Sequence, residues 1–394
     1  MCKIQNMAIL KKKKNSMSLE EITKLLDELK IPTALVFTPT NLASEKKKFF
    51  NSEKYNPVFQ YRIVKNDNEN IFKKLSSIES ISDVDPRISS FYMDLIEAKK
   101  EASALMNVVG NNDAVTDISV NRYGKPTPVL FRNACKVLRG RMESYNVVSS
   151  KTVKKLRGDY YGYDDIDKIF SKVFEEFGLD DWAVDKSMNI GKNGVKVGMK
   201  TRKVLVDPDI KRSNFKLKKT LVHEVGTHVL RGVNGLESGF EAFSKPNLPS
   251  YLDVEEGLAT WNENDMGLLS ANWLRKKAAL VFALYVGEDM SFRNLYNCVH
   301  GLLPQYAAFD TVYRVKRGLG DTSYPGLYFK DVVYFRGFRR VLNKLKKDPS
   351  LYKLLYAGKV GFKEAEWARE GLLPKPNRVP SKEKWEDIFK KVGL

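Results

Sequence analysis

"LVHEVGTHVLRG", residues 221–232, carries two of the chain's three histidines, His223 and His228, with Glu224 beside the first. It misses the H-E-x-x-H pattern of zinc peptidases by one extra residue between the histidines. On an ideal α-helix, i and i+4 lie about 40° apart and share a face, whereas i and i+5 lie about 140° apart and cannot both reach one metal. A turn closed from i to i+5, a π-turn, brings them back together, and such bulges occur mostly at functional sites. Gly226, between the histidines, is where the backbone distorts most easily. The spacing therefore predicts a π-bulge or widened turn at 223–228. It sits within a helix over "SNFKLKKTLVHEVGTHVLRGVNG" (213–235), capped by Ser213 or Asn214 and ended by Asn234-Gly235.

The chemistry follows from the residue types. Two neutral imidazoles and a carboxylate hold Zn²⁺ and leave a fourth position for water, whose pKa then falls toward neutrality. Glu224 directly follows the first ligand, where a general base can take the water proton and deliver it to the leaving amine. A third ligand is required. His300, the remaining histidine, reads as a structural residue at a helix end. Glu237 and Glu241 lie just beyond the motif helix. "VEEGLATW" (254–261) places Glu255 and Glu256 on a second helix, the arrangement of a two-His, one-Glu site. Periodicity does not choose among them.

Around this motif the chain reads as α+β, mostly helical, with a small sheet before the metal helix. Residues 1–17 read as a flexible basic arm with "KKKK" at 11–14, and 18–394 as one domain. Within it a helical part runs to about 150, the metal-site core over about 180–345, and a Lys-rich helical part follows, interrupted by "LLPKPNRVPS" (372–381). Ser18 and Glu21 write a capping box at the first helix. Residues 31–64 read as short strands and turns, and "VKVGM" (195–199) with "KVLVDP" (203–208) as strands, Asn193-Gly194 being a hairpin signal. "SYLDVEEGLATWNENDMG" (250–267) opens with a capping pattern, Ser250-x-x-Asp253.

Composition narrows the classes. No apolar run approaches the roughly 18 residues that span a bilayer. The longest, "AALVFALYVG" (278–287), reads as a buried helix, and the N-terminal stretch lacks signal-peptide order. Three scattered cysteines, Cys2, Cys135 and Cys298, argue for a reducing, intracellular setting. The formal charge of +19 points to an acidic partner or to a Lys-rich surface that serves solubility, and no nucleic-acid motif accompanies it.

"HEVGTHVLRGVNG" followed by "EEGLA" resembles the microtubule-associated tyrosine carboxypeptidase family. The resemblance extends to "RVKRGLGDTSYPGLYFKDVVYFRG" (314–337), "NPVFQY" (56–61) and "FYMDLIEAKKEA" (91–102), covering roughly residues 30–345. It implies a zincin-like metallopeptidase domain holding one Zn²⁺ per chain. The activity implied is removal of the C-terminal tyrosine of α-tubulin by a cytoplasmic, microtubule-associated monomer with no membrane or nucleic-acid partner. By position, His223 and His228 match the family's zinc-binding histidines, Glu224 its catalytic glutamate and Glu256 the glutamate of E-G-L-A. Glu255 stands where bacterial relatives carry Gln. A carboxypeptidase needs a cation for the terminal carboxylate, best an Arg fork. Arg314, Lys316, Arg317 and Lys330 follow the zinc helices, Tyr334 is a candidate donor to the oxyanion, and the strands at 195–206 offer an edge for an extended tail. Two other readings compete: a zinc peptidase of unrelated peptides, and a basic microtubule- or nucleic-acid-binding protein with a non-catalytic metal site. Glu224 opposes the last, since a structural zinc has four protein ligands and needs no base.

Overall fold

The Ser18–Glu21 capping box forms as written, Ser18 Oγ accepting from the Glu21 amide and Glu21 Oε2 from the Ser18 amide, and it starts helix α1 (Leu19–Glu28). A computed structural model describes residues 16–64, 67–156, 158–245 and 248–394; most of the basic arm, including 11–14, lies outside them. The expectation of strands over 31–64 is corrected. Thr33–Val36 and Leu42–Phe50 are helices. In the second, Glu45 and Phe49 are buried one turn apart, Phe49 edge-on to Phe292 and Phe309. Leu42–Phe50 is itself rich in helix formers (Leu, Ala, Glu, Lys), and its inner face has helical spacing.

Two long helices follow, α2 (Pro86–Asn107), capped by Asp85, and α3 (Pro128–Leu138), capped by Thr127. The expected sheet has three strands, β1 (Ala183–Lys186), β2 (Val195–Gly198) and β3 (Lys203–Val206), in the order β1-β3-β2. β1 runs parallel to β3, and β2 antiparallel to it. Asn193-Gly194 does not close the hairpin, which turns at 199–202. It bends the chain into β2, with Asn193 at φ 56°, because Asp207 accepts from the Asn193 amide and donates its own amide to the Gly194 carbonyl.

The metal helix runs without a break from α4 (Asn214–Thr220) through a π-helical segment, Leu221–Val229, into α5 (Leu230–Glu237). Ser213 is its N-cap. Asn234 and Gly235 continue the helix rather than end it. Asn234 donates to the Tyr356 and Arg378 carbonyls, and a Cβ on Gly235 would meet the Phe243 carbonyl oxygen at 2.1 Å. The edge strand β2 lies against the π segment.

Then come α6 (Pro249–Asp265), α7 (Ala271–Val286), α8 (Phe292–His300), α9 (Gln305–Lys316), α10 (Val332–Lys347) and α11 (Lys382–Lys391). The run at 278–287 forms the last turns of α7 and its C-cap, buried over most of Ala278 to Leu284 as its composition suggested, with Tyr285 exposed. Among the described residues no helix is long and apolar enough to cross a membrane.

Apolar side chains collect into two cores. One joins α1, the sheet, the metal helix and the C-terminal helices. The other joins α3, α7, α8 and α9. α6 runs between them, Val254 and Leu258 in the first core and Leu252 and Trp261 touching both. α6 crosses α10 at a glycine pair: a Cβ on Gly257 would lie 2.4 Å from the Gly337 carbonyl carbon, and one on Gly337 would lie 2.0 Å from the Asp253 carbonyl oxygen. Asp253 does not cap α6, whose N-cap is Leu248. Buried at 1% exposure, it takes a two-pronged grip from Arg336 (2.7 and 2.8 Å) and a third contact from Arg340 (2.8 Å). Because backbone stands where a methyl group would go, Gly257→Ala should cost about 1–3 kcal/mol and shift Glu256 on the same turn. Thermal melting and zinc titration of the variant would both fall below wild type.

Candidate active site

The π segment does what the spacing required. It brings His223 and His228 onto one face, ring centroids 4.9 Å apart, and with Glu256 of α6 they form a group whose ligand atoms all lie within 4.8 Å of one another. A wider helix frees backbone carbonyls that a regular helix would satisfy. Here Tyr356 donates to the Gly226 carbonyl at 2.7 Å, Asn262 links Tyr356 to Thr227, and Tyr352 donates to Asn262. Trp385 of α11 lies against Gly226 so closely that a Cβ there would sit 2.8 Å from its ring. The Lys-rich C-terminal part is thus the brace behind the metal helix.

Each histidine is oriented through its inner nitrogen. Glu263 Oε1 lies 2.7 Å from His223 Nδ1, and Glu255 Oε1 lies 2.6 Å from His228 Nδ1. Both carboxylates are buried. Held in this way, each ring leaves Nε2 for a metal, the carboxylate–histidine arrangement of zinc sites. Glu255 and Glu256 therefore separate by surroundings: Glu256 joins the ligand group, while Glu255 supports His228. Arg231, fully buried, pairs with Glu255, and Lys359 Nζ stands 3.0 Å from it. Burial alone would raise the Glu255 carboxyl, but Lys359, Arg231 and His228 hold it well below its usual value. Glu263 is lowered likewise, against burial, by Lys219 at 2.8 Å and by His223. Burial opposes protonation of His223, yet Glu263, Glu224 and Glu256 raise its pKa to about 9; a metal held there would take the place of that proton. Three donors of the N, N, O type, with both histidines held by an outer carboxylate, fit zinc. Glu263→Gln should weaken zinc binding about 10–100-fold, measured by competition with a chelator of known affinity.

Glu224 and His223 open onto a cavity of about 450 Å³ that Arg212, Phe215, Lys219 and Trp273 also line. On the Glu256 side stands Tyr334, whose phenol is pushed up by the Glu256 charge, by burial and by Asp331, so it keeps its proton. The expected substrate-binding cations divide. Arg314 makes a bidentate pair with buried Asp331 (both contacts 2.7 Å), and Arg317 lies 3.3 Å from the same carboxylate. Lys330 stands in the turn Phe329–Asp331. Lys316 does not join them: it is fully buried, its ammonium donating to the Met290 carbonyl at 2.5 Å. Glu237 pairs with Arg378 and Glu241 with Lys245, both apart from the ligand group. His300 stacks on Tyr296 at the end of α8. The sequence reading passed over Glu263, although it lies seven residues, two helical turns, after Glu256 and so on the same face of α6. It also passed over Lys277, whose ammonium lies 3.5 Å from the Tyr334 ring centre and whose pKa burial lowers to about 7. Arg231 lay inside the quoted motif stretch without a role assigned to it, and Tyr356 and Trp385 lay in no motif.

A family model described as "Microtubule-associated tyrosine carboxypeptidase" matches residues 47–387. Microtubule-associated tyrosine carboxypeptidase 1 of mouse is 27% identical over 380 residues, 92% of this chain and 69% of that protein. The rat protein of the same name is 34% identical over 169 residues, 41% of this chain and 34% of its own length. Mouse MATCAP2 is 30% identical over 168 residues, 41% of this chain. That match spans 31%, under a third, of the MATCAP2 length.

Proposed function

Since the chain belongs to the microtubule-associated tyrosine carboxypeptidase family, we propose that it is a zinc carboxypeptidase that removes the C-terminal tyrosine from an acidic protein tail, that of α-tubulin, in the cytoplasm. The observation that carries this reading is the convergence of His223, His228 and Glu256 next to an open cavity that His223 and Glu224 line. His223, His228 and Glu256 would hold the zinc, which when bound supplies Lewis acidity, acidifying water and polarising the scissile carbonyl. Glu224 takes the proton as the water oxygen bonds to the carbonyl carbon, and passes it to the amine nitrogen as the C–N bond breaks. Tyr334, protonated and beside Glu256, donates to the carbonyl oxygen as its charge grows. The edge of β2, against the π segment, offers main-chain pairing to the extended tail.

The test is mass spectrometry of an acidic α-tubulin-tail peptide ending in tyrosine after incubation with the zinc-loaded protein. Loss of the terminal residue alone supports the reading, and an uncut peptide in a protein shown to hold zinc sinks the tubulin assignment. The +19 charge would draw such a tail in, so KM should rise with salt over the range where the Debye length shrinks from about 30 to 8 Å. A KM unmoved by salt would leave the charge without a part in substrate capture.

A further inference from the structure

The leaving amine takes its proton from Glu224, so the residue released must sit on the Glu224 side of the metal. The cavity found there, about 450 Å³, falls in the range of roughly 300–1,000 Å³ typical of small-ligand pockets. Phe215 and Trp273 give it aromatic walls, and Lys219 stands 4.9 Å over the Trp273 ring. Lys219 itself is tied to Glu263. Arg314 and Arg317, which the sequence offered as carboxylate anchors, already share Asp331.

Arg212 differs. Its guanidinium is steadied by one bond, Nη2 to the Asn193 carbonyl at 2.8 Å. Among the described residues its Nε is buried without a partner, and no carboxylate lies within ion-pairing distance of it. Glu224 is the acidic group whose charge reaches it. A planar cation in the cavity wall, fixed on one side and unneutralised, is suited to a carboxylate.

We infer that the cavity is the pocket for the released C-terminal residue and that Arg212 binds that residue's carboxylate, with its aromatic ring against Phe215 and Trp273. The inference rests on the carboxypeptidase reading above. It explains an exopeptidase by geometry: a chain continuing past this residue would meet Arg212 without the charge that Arg212 needs.

The zinc-loaded full chain is assayed on two peptides of one acidic sequence ending in tyrosine, one with a free carboxylate and one amidated. Wild type should prefer the free acid. Losing a charged hydrogen-bond partner should lower kcat/KM of Arg212→Gln on the acid about 10–100-fold and leave the amide little changed, so that the preference collapses. Arg212→Lys, which keeps the charge, should fall between and guards against a folding defect. An acid-to-amide ratio in Arg212→Gln equal to that of wild type overturns the role of Arg212 while the carboxypeptidase reading stands. A wild-type protein that releases tyrosine from neither peptide overturns both.

Discussion

Glu224→Gln should lower kcat/KM on a tyrosine-terminated acidic peptide by about 10²–10⁴-fold, the worth of a positioned general base, while zinc content stays at the wild-type level. The separation of the two readouts comes from geometry. Glu224 lines the cavity but is no member of the ligand group, which His223, His228 and Glu256 complete without it. Glutamine keeps the shape and removes the proton acceptor. A loss of zinc together with activity would mean that Glu224 helps to hold the metal. Full activity would show that another group takes the proton, and no cleavage by wild type or variant would favour a binding protein with a non-catalytic metal.

Arg231→Leu should cost about 3–5 kcal/mol of stability, the usual result of removing one partner from a buried ion pair. Arg231 is fully buried, pairs with Glu255 and donates to the Leu355 (2.8 Å) and Val360 (2.6 Å) carbonyls. Its loss leaves Glu255 without its guanidinium partner, though Lys359, His228 and Tyr251 remain beside it, and two carbonyls without their donor. Chemical denaturation would measure the loss. A change under about 1 kcal/mol, the worth of a surface pair, would show that water or Lys359 takes its place. The double variant Arg231→Leu/Glu255→Leu should regain part of the stability and bind zinc more weakly, because His228 then turns without its carboxylate.

The metal helix was legible because its histidine spacing is a geometric statement: i and i+5 must converge, so the helix must widen, and it does over Leu221–Val229. The choice between Glu255 and Glu256 was not available from spacing. It depends on Arg231, Lys359 and His228 surrounding the first of them in three dimensions. Residues 31–64 misled because the short helix Leu42–Phe50, built of helix formers and packed by Phe49 on the second core, is flanked by turn residues that break its pattern in the sequence. Asn193-Gly194 turned the chain, as such pairs do, but one strand early. The anchors Arg314 and Arg317 were reasonable by residue type, and only the structure shows Asp331 already between them.

The brace behind Gly226 has a consequence for synthesis. His223, Glu224, His228 and Glu256 leave the ribosome long before Tyr356 and Trp385, which hold the widened turn in shape. A nascent chain therefore carries His223 and His228 in a helix free to relax to the ordinary pitch, where the two point apart. The convergence of the two histidines is thus completed last, when the late helices dock behind Gly226.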